Sequence, residues 1–358
     1  MSPQRRSLRI IRTHEPEEET WSMLSYFESS YNSEQYLKKK FGASVDKLNE
    51  TATSLALHMK AAREYFRAAD SVSILTKPLL LFYGMTALSK ALFMSTHAKE
   101  SPSRGHGLHD VEGWNGIFSD FSVRIQKDGT FPQFHGCFSK ESLRSCEFSL
   151  KELFSLIPEV KVNFETVYDL KSRALKVEHV KYGISIVDSE LQKYENLESL
   201  VAEIPHVSER YMKTYQRANG KLFLYCANAD AQDPIIRAIS GEEYIVLPIK
   251  KGSTVIVVPE MSVHFLTMYC LGMISRYPLK EWGKTISGGE SGEIYIVQKF
   301  LEVTKRKFPN LVLNELRDRT FMFSNPSIET EGKMSEDQLK DIYEYVKNEL
   351  NRDLRSYM

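Results

Sequence analysis

Three side chains able to bind or protonate a phosphate ester lie in one short segment, SRGHGLHD. Arg104 can hold a phosphate through paired hydrogen bonds, and His106 or His109 can transfer a proton near neutral pH. The glycines of the segment and the preceding Pro102 predict a loop. A structural alternative remains open, in which the segment is a glycine-rich connection whose histidines hydrogen-bond the backbone.

Further basic side chains lie in the C-terminal third of the chain. Arg276 follows an apolar helical segment, where we expect it to complement the helix dipole and pair with a carboxylate; phosphate binding is the alternative. If the helical segments pack together, Arg276 and His106 could face one cleft. Lys305, Arg306 and Lys307 form the best local basic patch, which predicts either a solvated helix end or a nucleic-acid contact.

Other residues with chemical potential have simpler interpretations. Lys90 interrupts an apolar helix and is expected to be a paired or snorkelling side chain. His264 lies in an apolar helix and is expected to be a satisfied core histidine. The four cysteines form no CxxC pair and no zinc spacing, and phosphate-loop, dinucleotide and nucleophile-elbow motifs are absent. The sequence predicts neither a metal nor a cofactor.

Composition restricts the class of protein and its location. The 358 residues are 42% hydrophobic and 26% charged with a formal net charge of zero, so no global field attracts nucleic acid or an anionic membrane. Scattered cysteines predict a reducing compartment, and the N-terminus has no apolar core typical of a secretory signal. We therefore expect a soluble, cytoplasmic protein without a membrane partner.

Apolar periodicity predicts helices on both sides of the middle of the chain. Residues 48–69 carry one apolar stripe, whereas residues 78–93 are apolar on nearly every face, which is typical of a central helix. Residues 261–277 form a second strongly apolar helix. A further helix starts near residue 294, is closed by the basic run and is expected to end at Pro309.

Between these helices the period changes to two. FSVRIQK alternates apolar and polar residues, and Asp128-Gly129 predicts a hairpin turn into a second strand, TFPQF. Further strands are predicted at LFLYCA, EYIVLPI and STVIVVP, the last two joined as a hairpin. Near the C-terminus, Ser335 and Gln338 predict a capping box that opens an amphipathic helix.

These elements predict a mainly helical α+β protein. The apolar helices before and after the middle region lack a large partner nearby in sequence, so we expect them to close one split four-helix core around an insertion. The predicted units are a flexible arm (1–20), an N-terminal helical half (21–115), a mixed β-containing insertion (116–259), a C-terminal helical half packing on the first (260–324), and a linker with an amphipathic helix (325–358).

Several segments, in order, resemble the bacterial YaaC-like proteins. They are WSMLSYFESS with YLKKKFG, KPLLLFYGMTALSKALF, HGL, VRIQKDGTFPQF, LGMISRYPLKEW and KFLEVTKRKFPNLVLNEL, followed by FMF. These segments span both helical halves and the start of the insertion. The family pattern has a lysine- and arginine-rich run after HGL, whereas this chain has DVEGWNGIF. The resemblance itself implies no particular reaction.

The split helical pattern also resembles the HEPN class of helical domains, many of which are metal-independent ribonucleases or parts of antiviral systems. Arg104 and His109 have the R-x4-H spacing of such ribonucleases, although that motif lies on a helix. The resemblance implies that Arg104 holds the scissile phosphate, that His106 or His109 transfers protons at the 2′-hydroxyl, and that Arg276 stabilises charge.

Two functions are therefore compatible with the sequence. In the first, the chain binds or cleaves RNA without a metal, within a bacterial stress or phage-defence system. In the second, it is a non-catalytic subunit or homodimer that docks a partner protein through a bundle face or the C-terminal helix. The sequence does not decide whether the chain is an enzyme.

Overall fold

The computed structural model describes most of the chain. Described are residues 6–43, 47–100, 105–180, 183–187, 197–204, 207–211, 216–218, 221–228, 234–288 and 292–324. Arg104 and the predicted C-terminal capping box and helix lie outside these residues.

Helices supply most of the described structure. In chain order they are α1 (Pro16–Leu24), α2 (Ser30–Phe41), α3 (Leu48–Asp70), α4 (Lys77–His97), α5 (Thr130–His135), α6 (Leu150–Ser155), α7 (Lys161–Tyr168), α8 (Leu197–Ala202), α9 (Val207–Arg210), α10 (Glu260–Ile274), α11 (Leu279–Ser287) and α12 (Glu293–Arg317).

The strands are short and form small sheets. In chain order they are β1 (Ser7–Arg12), β2 (Leu108–Asp110), β3 (Ser122–Ile125), β4 (Glu147–Ser149), β5 (Ala174–Val180), β6 (Gly183–Ile186), β7 (Gln216–Ala218), β8 (Lys221–Tyr225), β9 (Ile236–Arg237), β10 (Glu243–Val246), β11 (Ile249–Lys251), β12 (Thr254–Ile256) and β13 (Arg319–Ser324). The predicted mainly helical α+β class is confirmed.

The two most apolar helices, α4 and α10, lie side by side in the main core. The Phe82 ring of α4 packs edge-on against Phe265 and Tyr269 of α10, with both ring centroids 5.6 Å away. Helix α4 also contacts α3, α12 and α5. Each helix is buried on nearly every side because it has no polar face to turn to solvent. Helices from before and after the middle of the chain therefore share one interior.

Helices α3 and α4 form a tight antiparallel pair. A Cβ atom at Gly84 would lie 2.6 Å from the Phe66 side chain, so glycine at this position permits the close approach. The apolar stripe predicted on α3 is buried against α4, including Met59, Ala62 and Phe66. This packing places the outer faces of the two helices next to each other on the surface.

Pro309 does not end its helix, contrary to the sequence-based prediction. Helix α12 runs through it to Arg317, so the basic run lies in the helix interior rather than at its end. An internal proline costs about 3 kcal/mol. Beyond it, however, Val312, Leu313 and Leu316 continue the buried stripe, and each large apolar side chain contributes about 1.5–3 kcal/mol on burial.

The middle region divides between two cores instead of forming one unit. Its first part joins the main core, where Phe134 packs on Phe308 and Phe154 packs on Phe300 of α12. The later strands form a six-stranded antiparallel sheet in the order β7-β8-β6-β5-β10-β9. This sheet has a separate apolar cluster with α8 and α9. Aromatic residues of the first part thus complete the helical core.

The hairpin predicted at Asp128-Gly129 is wrong, because the residues that follow form helix α5. Pro132 lies in its first turn, where the missing N–H is tolerated. Phe131, Phe134 and His135 are buried at helical spacing. The second predicted hairpin forms in part: β11 pairs with β12 around a turn at Gly252. The predicted strand EYIVLPI is split, because its first residues form β10, which pairs with β5 and β9.

The flexible arm predicted for residues 1–20 is also wrong over its described part. Strand β1 pairs in parallel with β13, and α1 begins at Pro16 and contacts α12. Arg6 adds hydrogen bonds to both carboxylate oxygens of Glu315. The sequence shows only an arginine-rich start, whereas the partner strand lies more than 300 residues away.

Helix α4 is the one described helix that is long and apolar enough to span a membrane. Two thirds of its most apolar stretch is buried inside the protein. Burial of this kind is typical of the central helix of a soluble protein, and it agrees with the packing of α4 against α3, α10 and α12.

Candidate cationic site

The loop that carries His106 is held in place by the start of α5. The backbone N–H groups of Thr130 and Phe131 donate hydrogen bonds to the carbonyls of Gly105 and His106. Gly107 and Gly129 have positive φ angles, and a Cβ on Gly129 would lie 2.1 Å from the Cα of Gly107. Glycine is therefore required at this crossing, and the loop is fixed despite its composition.

The His106 ring rests on the junction of α4 and α10. It lies 5.1 Å from the Phe82 ring and 6.1 Å from the Tyr269 ring, centroid to centroid. The Tyr269 hydroxyl donates to the carbonyl of Leu108, which anchors the loop to α10. His106 is thereby half-buried at the edge of the main core.

Arg276 follows the end of α10 and extends toward α4. Its guanidinium donates to the hydroxyl oxygen of Tyr83 at 3.5 Å and to that of Tyr277 at 3.0 Å, and it stacks 4.8 Å from the Tyr277 ring centroid. No carboxylate in the described part of the chain forms an ion pair with it. The expected carboxylate partner of Arg276 is therefore not found among these residues.

The outer surface of the α3–α4 pair continues this site. Tyr65 of α3 lies beside Tyr83 of α4, with ring centroids 5.7 Å apart. About two helix turns further along the pair, the charge of Lys90 on α4 lowers the pKa of His58 on α3. Lys90 is half-buried, as expected for a snorkelling side chain, and forms no ion pair with any described residue. We call His58, Tyr65, Tyr83, Lys90, His106 and Arg276 the cationic face.

The histidines of the cationic face are poor cations. Burial lowers the pKa of His106 below its usual value, and the nearby charges of Arg276 and Lys90 lower it further. Burial and Lys90 likewise lower the pKa of His58, against the opposing effect of Glu100. Both imidazoles are thus neutral at pH 7, and each can accept a proton while two fixed cations remain beside them.

The structure brings His106 and Arg276 together, as the sequence allowed, but it separates His109 from them. His109 lies on β2 with its side chain exposed, opposite in direction to the buried Leu108. Its cross-strand neighbour is Arg124, and Asp110 lies 3.9 Å from its Nδ1 atom. A helical R-x4-H arrangement is absent here, because His109 belongs to a strand.

The basic run of α12 does not form one surface patch. Lys305 forms ion pairs with Glu17 at 2.9 Å and Asp70 at 2.6 Å. Arg306 is half-buried and faces a cavity, while Lys307 is turned into the protein. Successive helical residues point about 100° apart, so three adjacent cations meet three different surroundings.

Lys307 belongs to a buried charge cluster with Glu159 and Glu260. Its Nζ atom lies 2.6 Å from Glu159 Oε1 and also contacts Glu260 Oε1. Burial alone would lower the pKa of Lys307, but attraction by Glu260 and Glu159 outweighs it and raises that pKa. Burial raises the pKa of Glu260, and Lys307 only partly opposes this. No local sequence motif predicts this cluster, because its three members are far apart in the chain.

Two buried histidines have structural roles. His264 Nδ1 forms a 2.8 Å hydrogen bond with Thr304 Oγ1, so the expected core position is confirmed. Its buried Nε2 atom has no hydrogen-bond partner among the described residues, so the expected full satisfaction is not. His135 forms a 2.8 Å hydrogen bond with Ser262, and its other ring nitrogen bonds the carbonyl of Glu141. That arrangement has the form of a serine–histidine pair, but the Ser262 side chain is completely buried and no substrate reaches it.

Among the described residues, no three His, Cys, Asp or Glu side chains are grouped to hold a metal ion. The cationic face instead offers two cations without an ion pair to any described residue, two neutral imidazoles and two tyrosine rings. Such a set can bind a phosphodiester through its oxygens and a base through its flat face.

Comparison with known proteins adds one result. A family model described as YaaC-like Protein matches residues 25–316, which is most of the chain. No curated protein and no solved structure matches. The matched range starts in the N-terminal helices and ends in α12, so it includes the cationic face and the buried charge cluster.

Proposed function

The chain belongs to the YaaC-like protein family, and we propose that it binds RNA through the cationic face. The observation that carries this proposal is the contact of Arg276 with Tyr83 and Tyr277, in the absence of a carboxylate partner for Arg276 among the described residues. Lys90 adds a second positive charge close to His106 on the same face. A protein of zero net charge attracts a polyanion only through such a local site.

Each part of the face matches a part of a single-stranded nucleotide. Arg276 and Lys90 contact phosphate oxygens, and bases stack on Tyr65, Tyr83 and the exposed Tyr277. Phosphate contacts supply affinity without sequence preference, whereas stacking selects unpaired strands. Duplex RNA, whose bases are already stacked, therefore binds more weakly than single-stranded RNA.

The finer form of the proposal is metal-independent cleavage of the bound strand. The neutral His106 accepts the proton of a 2′-hydroxyl, whose oxygen attacks the adjacent phosphorus while Arg276 stabilises the added negative charge. The leaving 5′-oxygen takes its proton from water. No cofactor is needed for this step. Analogy with HEPN ribonucleases supports a cytoplasmic role in stress or phage defence, and that analogy rests on the helical pattern alone.

Fluorescence anisotropy with a labelled single-stranded RNA tests binding. We expect Arg276→Ala and Lys90→Ala each to weaken binding about tenfold, because each removes a charge-assisted contact. Lys299→Ala is the matched control, since Lys299 is a cation on the solvent side of α12 that pairs with Glu302. Equal binding by all four proteins, or no binding at low salt, contradicts the proposal.

Incubation of labelled transfer RNA and total RNA in EDTA tests cleavage separately. We expect cleavage by the wild-type chain and loss of cleavage in His106→Ala, with RNA affinity largely retained. His109→Ala tests the sequence-based candidate and is expected to cleave normally. Binding without cleavage removes the ribonuclease proposal but leaves the RNA-binding proposal standing.

A second candidate function, docking of a partner protein or of a second copy, is favoured by an exposed apolar surface around α11. Leu75, Ile117 and Leu279 have 38%, 52% and 53% of their surfaces exposed, and the buried Trp282 donates its indole N–H to the carbonyl of Leu75. Exposed apolar patches are typical of interaction sites. Sedimentation tests the homodimer: we expect a dimer that Leu279→Asp dissociates, and a monomer at every concentration contradicts self-association.

A further inference from the structure

One cavity among the described residues lies where the main core meets the later strands. It has a volume of about 450 Å³ and is walled by α12, β13 and the segment around β9. Ligand pockets of proteins commonly measure about 300–1,000 Å³ and occur at such boundaries between structural units. This cavity is separate from the cationic face, and the inference does not rest on RNA binding.

The cavity is preformed, because side chains of α12 fasten its β13 wall. Asn314 Oδ1 accepts a hydrogen bond from the Phe321 N–H at 2.9 Å, and Asn310 Nδ2 donates to the Phe321 carbonyl at 3.3 Å. On the N-terminal side, Arg6 is fixed by Glu315. An occupant therefore finds the walls already in position, which lowers the entropy lost on binding.

Most charges that line the cavity are neutralised by neighbours. Arg6 pairs with Glu315, and Lys307 pairs with Glu159 and Glu260. Arg306 differs, since no carboxylate in the described part of the chain forms an ion pair with it. Burial lowers the pKa of Arg306, and the more distant Glu17 and Glu159 only partly oppose this effect. A half-buried guanidinium without a direct partner is a site for an anion.

Much of the remaining wall is apolar. Phe138, Leu311, Phe321 and Phe323 line the cavity together with isoleucines of the β9 segment. An inorganic ion would leave these walls uncovered, whereas a molecule with a flat apolar body would bury them. The polar and apolar parts together define an occupant that has a ring system at one end and a negative charge at the other.

We propose that this cavity binds a small organic anion with a planar apolar body, whose charged group is held by Arg306. A phosphate ester such as a nucleoside monophosphate and an aromatic carboxylate share this chemistry. Both place two acceptor oxygens where the guanidinium presents two parallel N–H donors. The main core forms one wall of the anion's cavity, and the segment around β9 forms another.

Calorimetric titration of the full chain tests the proposal. The probes are adenosine 5′-monophosphate, indole-3-acetate and the neutral control adenosine. We expect at least one of the two anions to bind, adenosine to bind more weakly, and Arg306→Ala to lower the affinity for the anion about 10- to 100-fold. The stronger anion tells whether the natural ligand is a phosphate ester or a carboxylate.

Lys305→Ala is the matched control, because Lys305 is the preceding residue but pairs with Glu17 and Asp70 outside the cavity lining. We expect this variant to bind the anion like wild type. If Arg306→Ala does not fold, Arg306→Lys serves instead, and its loss of the paired donors still lowers affinity. Failure of both anions to bind, equal binding of adenosine, or equal effects at positions 305 and 306 overturns the proposal.

Discussion

Lys307 and Arg276 are both basic residues of the C-terminal helical half, yet their surroundings are opposite. Lys307 is buried between Glu159 and Glu260 and links three distant segments. Arg276 is exposed, has no described carboxylate partner and hydrogen-bonds Tyr83 and Tyr277. A basic side chain is therefore available to bind a ligand only if the fold does not pair it with a carboxylate. The number of basic residues in a short segment is a poor guide to that availability.

The largest expected effect in this comparison follows from removing the buried cation. Lys307→Met leaves two buried carboxylates without their counter-charge, which lowers the free energy of unfolding by about 3–5 kcal/mol. Urea denaturation at neutral pH measures the loss. Adding Glu159→Gln and Glu260→Gln to the same chain removes the uncompensated charges and is expected to restore most of the stability. A stable single variant would mean that the cluster is not an interdependent unit.

The next largest expected effect is a loss of stability at acidic pH, caused by protonation of the buried His264. Burial lowers the pKa of His264 to about 3, and the charge of Lys307 lowers it further. Because the folded state favours neutral His264, its contribution to stability is complete above the unfolded pKa of about 6.5 and is lost as the pH falls toward 3. The free energy of unfolding is expected to fall by about 1.4 kcal/mol per pH unit for this group.

Urea denaturation between pH 7 and pH 4 measures this slope, and His264→Asn is the comparison. Asparagine retains a hydrogen-bonding atom for Thr304 but does not titrate, so its slope is expected to be shallower. The lowered pKa values of His58, His106 and His135 act in the same direction and remain in both proteins. Parallel slopes in wild type and variant would refute the assignment to His264.

Removing the two cations of the cationic face is expected to weaken RNA binding and to leave the stability of the fold unchanged. The double variant Lys90→Ala/Arg276→Ala should unfold within about 0.5 kcal/mol of wild type, because neither side chain has a described ionic partner to lose. Its RNA affinity should fall, and the slope of log affinity against log salt should decrease by about 0.7 for each cation removed. Anisotropy titrations at several salt concentrations measure both quantities. A large loss of stability would mean that these residues have a structural role, like Lys307, and would contradict the prediction.

Lys305 should give the smallest effect on either measurement. It is partly exposed and paired with Glu17 and Asp70, and surface ion pairs contribute about 0–1 kcal/mol. Lys305→Ala is therefore expected to unfold close to wild type and to bind RNA with wild-type affinity. A marked loss of RNA binding would restore the basic run of α12 as a nucleic-acid contact.

Local sequence predicted the long helices well and the short elements poorly. The apolar stripe of α3 and the uniformly apolar α4 and α10 repeat their signal over several turns, and all three form as expected. The segment after Gly129 contains only six helical residues, too few for periodicity to outweigh a turn signal. Helix α12 continues past Pro309 because packing beyond it outweighs the lost hydrogen bond.

The candidate site was predicted in part. The sequence suggested that His106 and Arg276 could face one cleft, and the structure places them close enough for the charge of Arg276 to lower the pKa of His106. The sequence analysis missed His58, Tyr65 and Tyr83. These residues share a surface only because α3 packs against α4, and the spacing of residues within either helix does not predict that surface. Arg306 was noticed only as a member of a basic run, and the sequence gives no sign of the cavity that it faces.

By itself, the sequence determined the mainly helical character of the chain, because repeated apolar spacing acts locally, and its ordered motifs indicated the family. Tertiary structure decided which charges are neutralised and which remain available. That distinction depends on side chains such as Glu159 and Lys307, which lie 148 positions apart and whose pairing is visible only after folding. Electrostatic energy depends on distance in space and on burial, and neither quantity is encoded in any single segment.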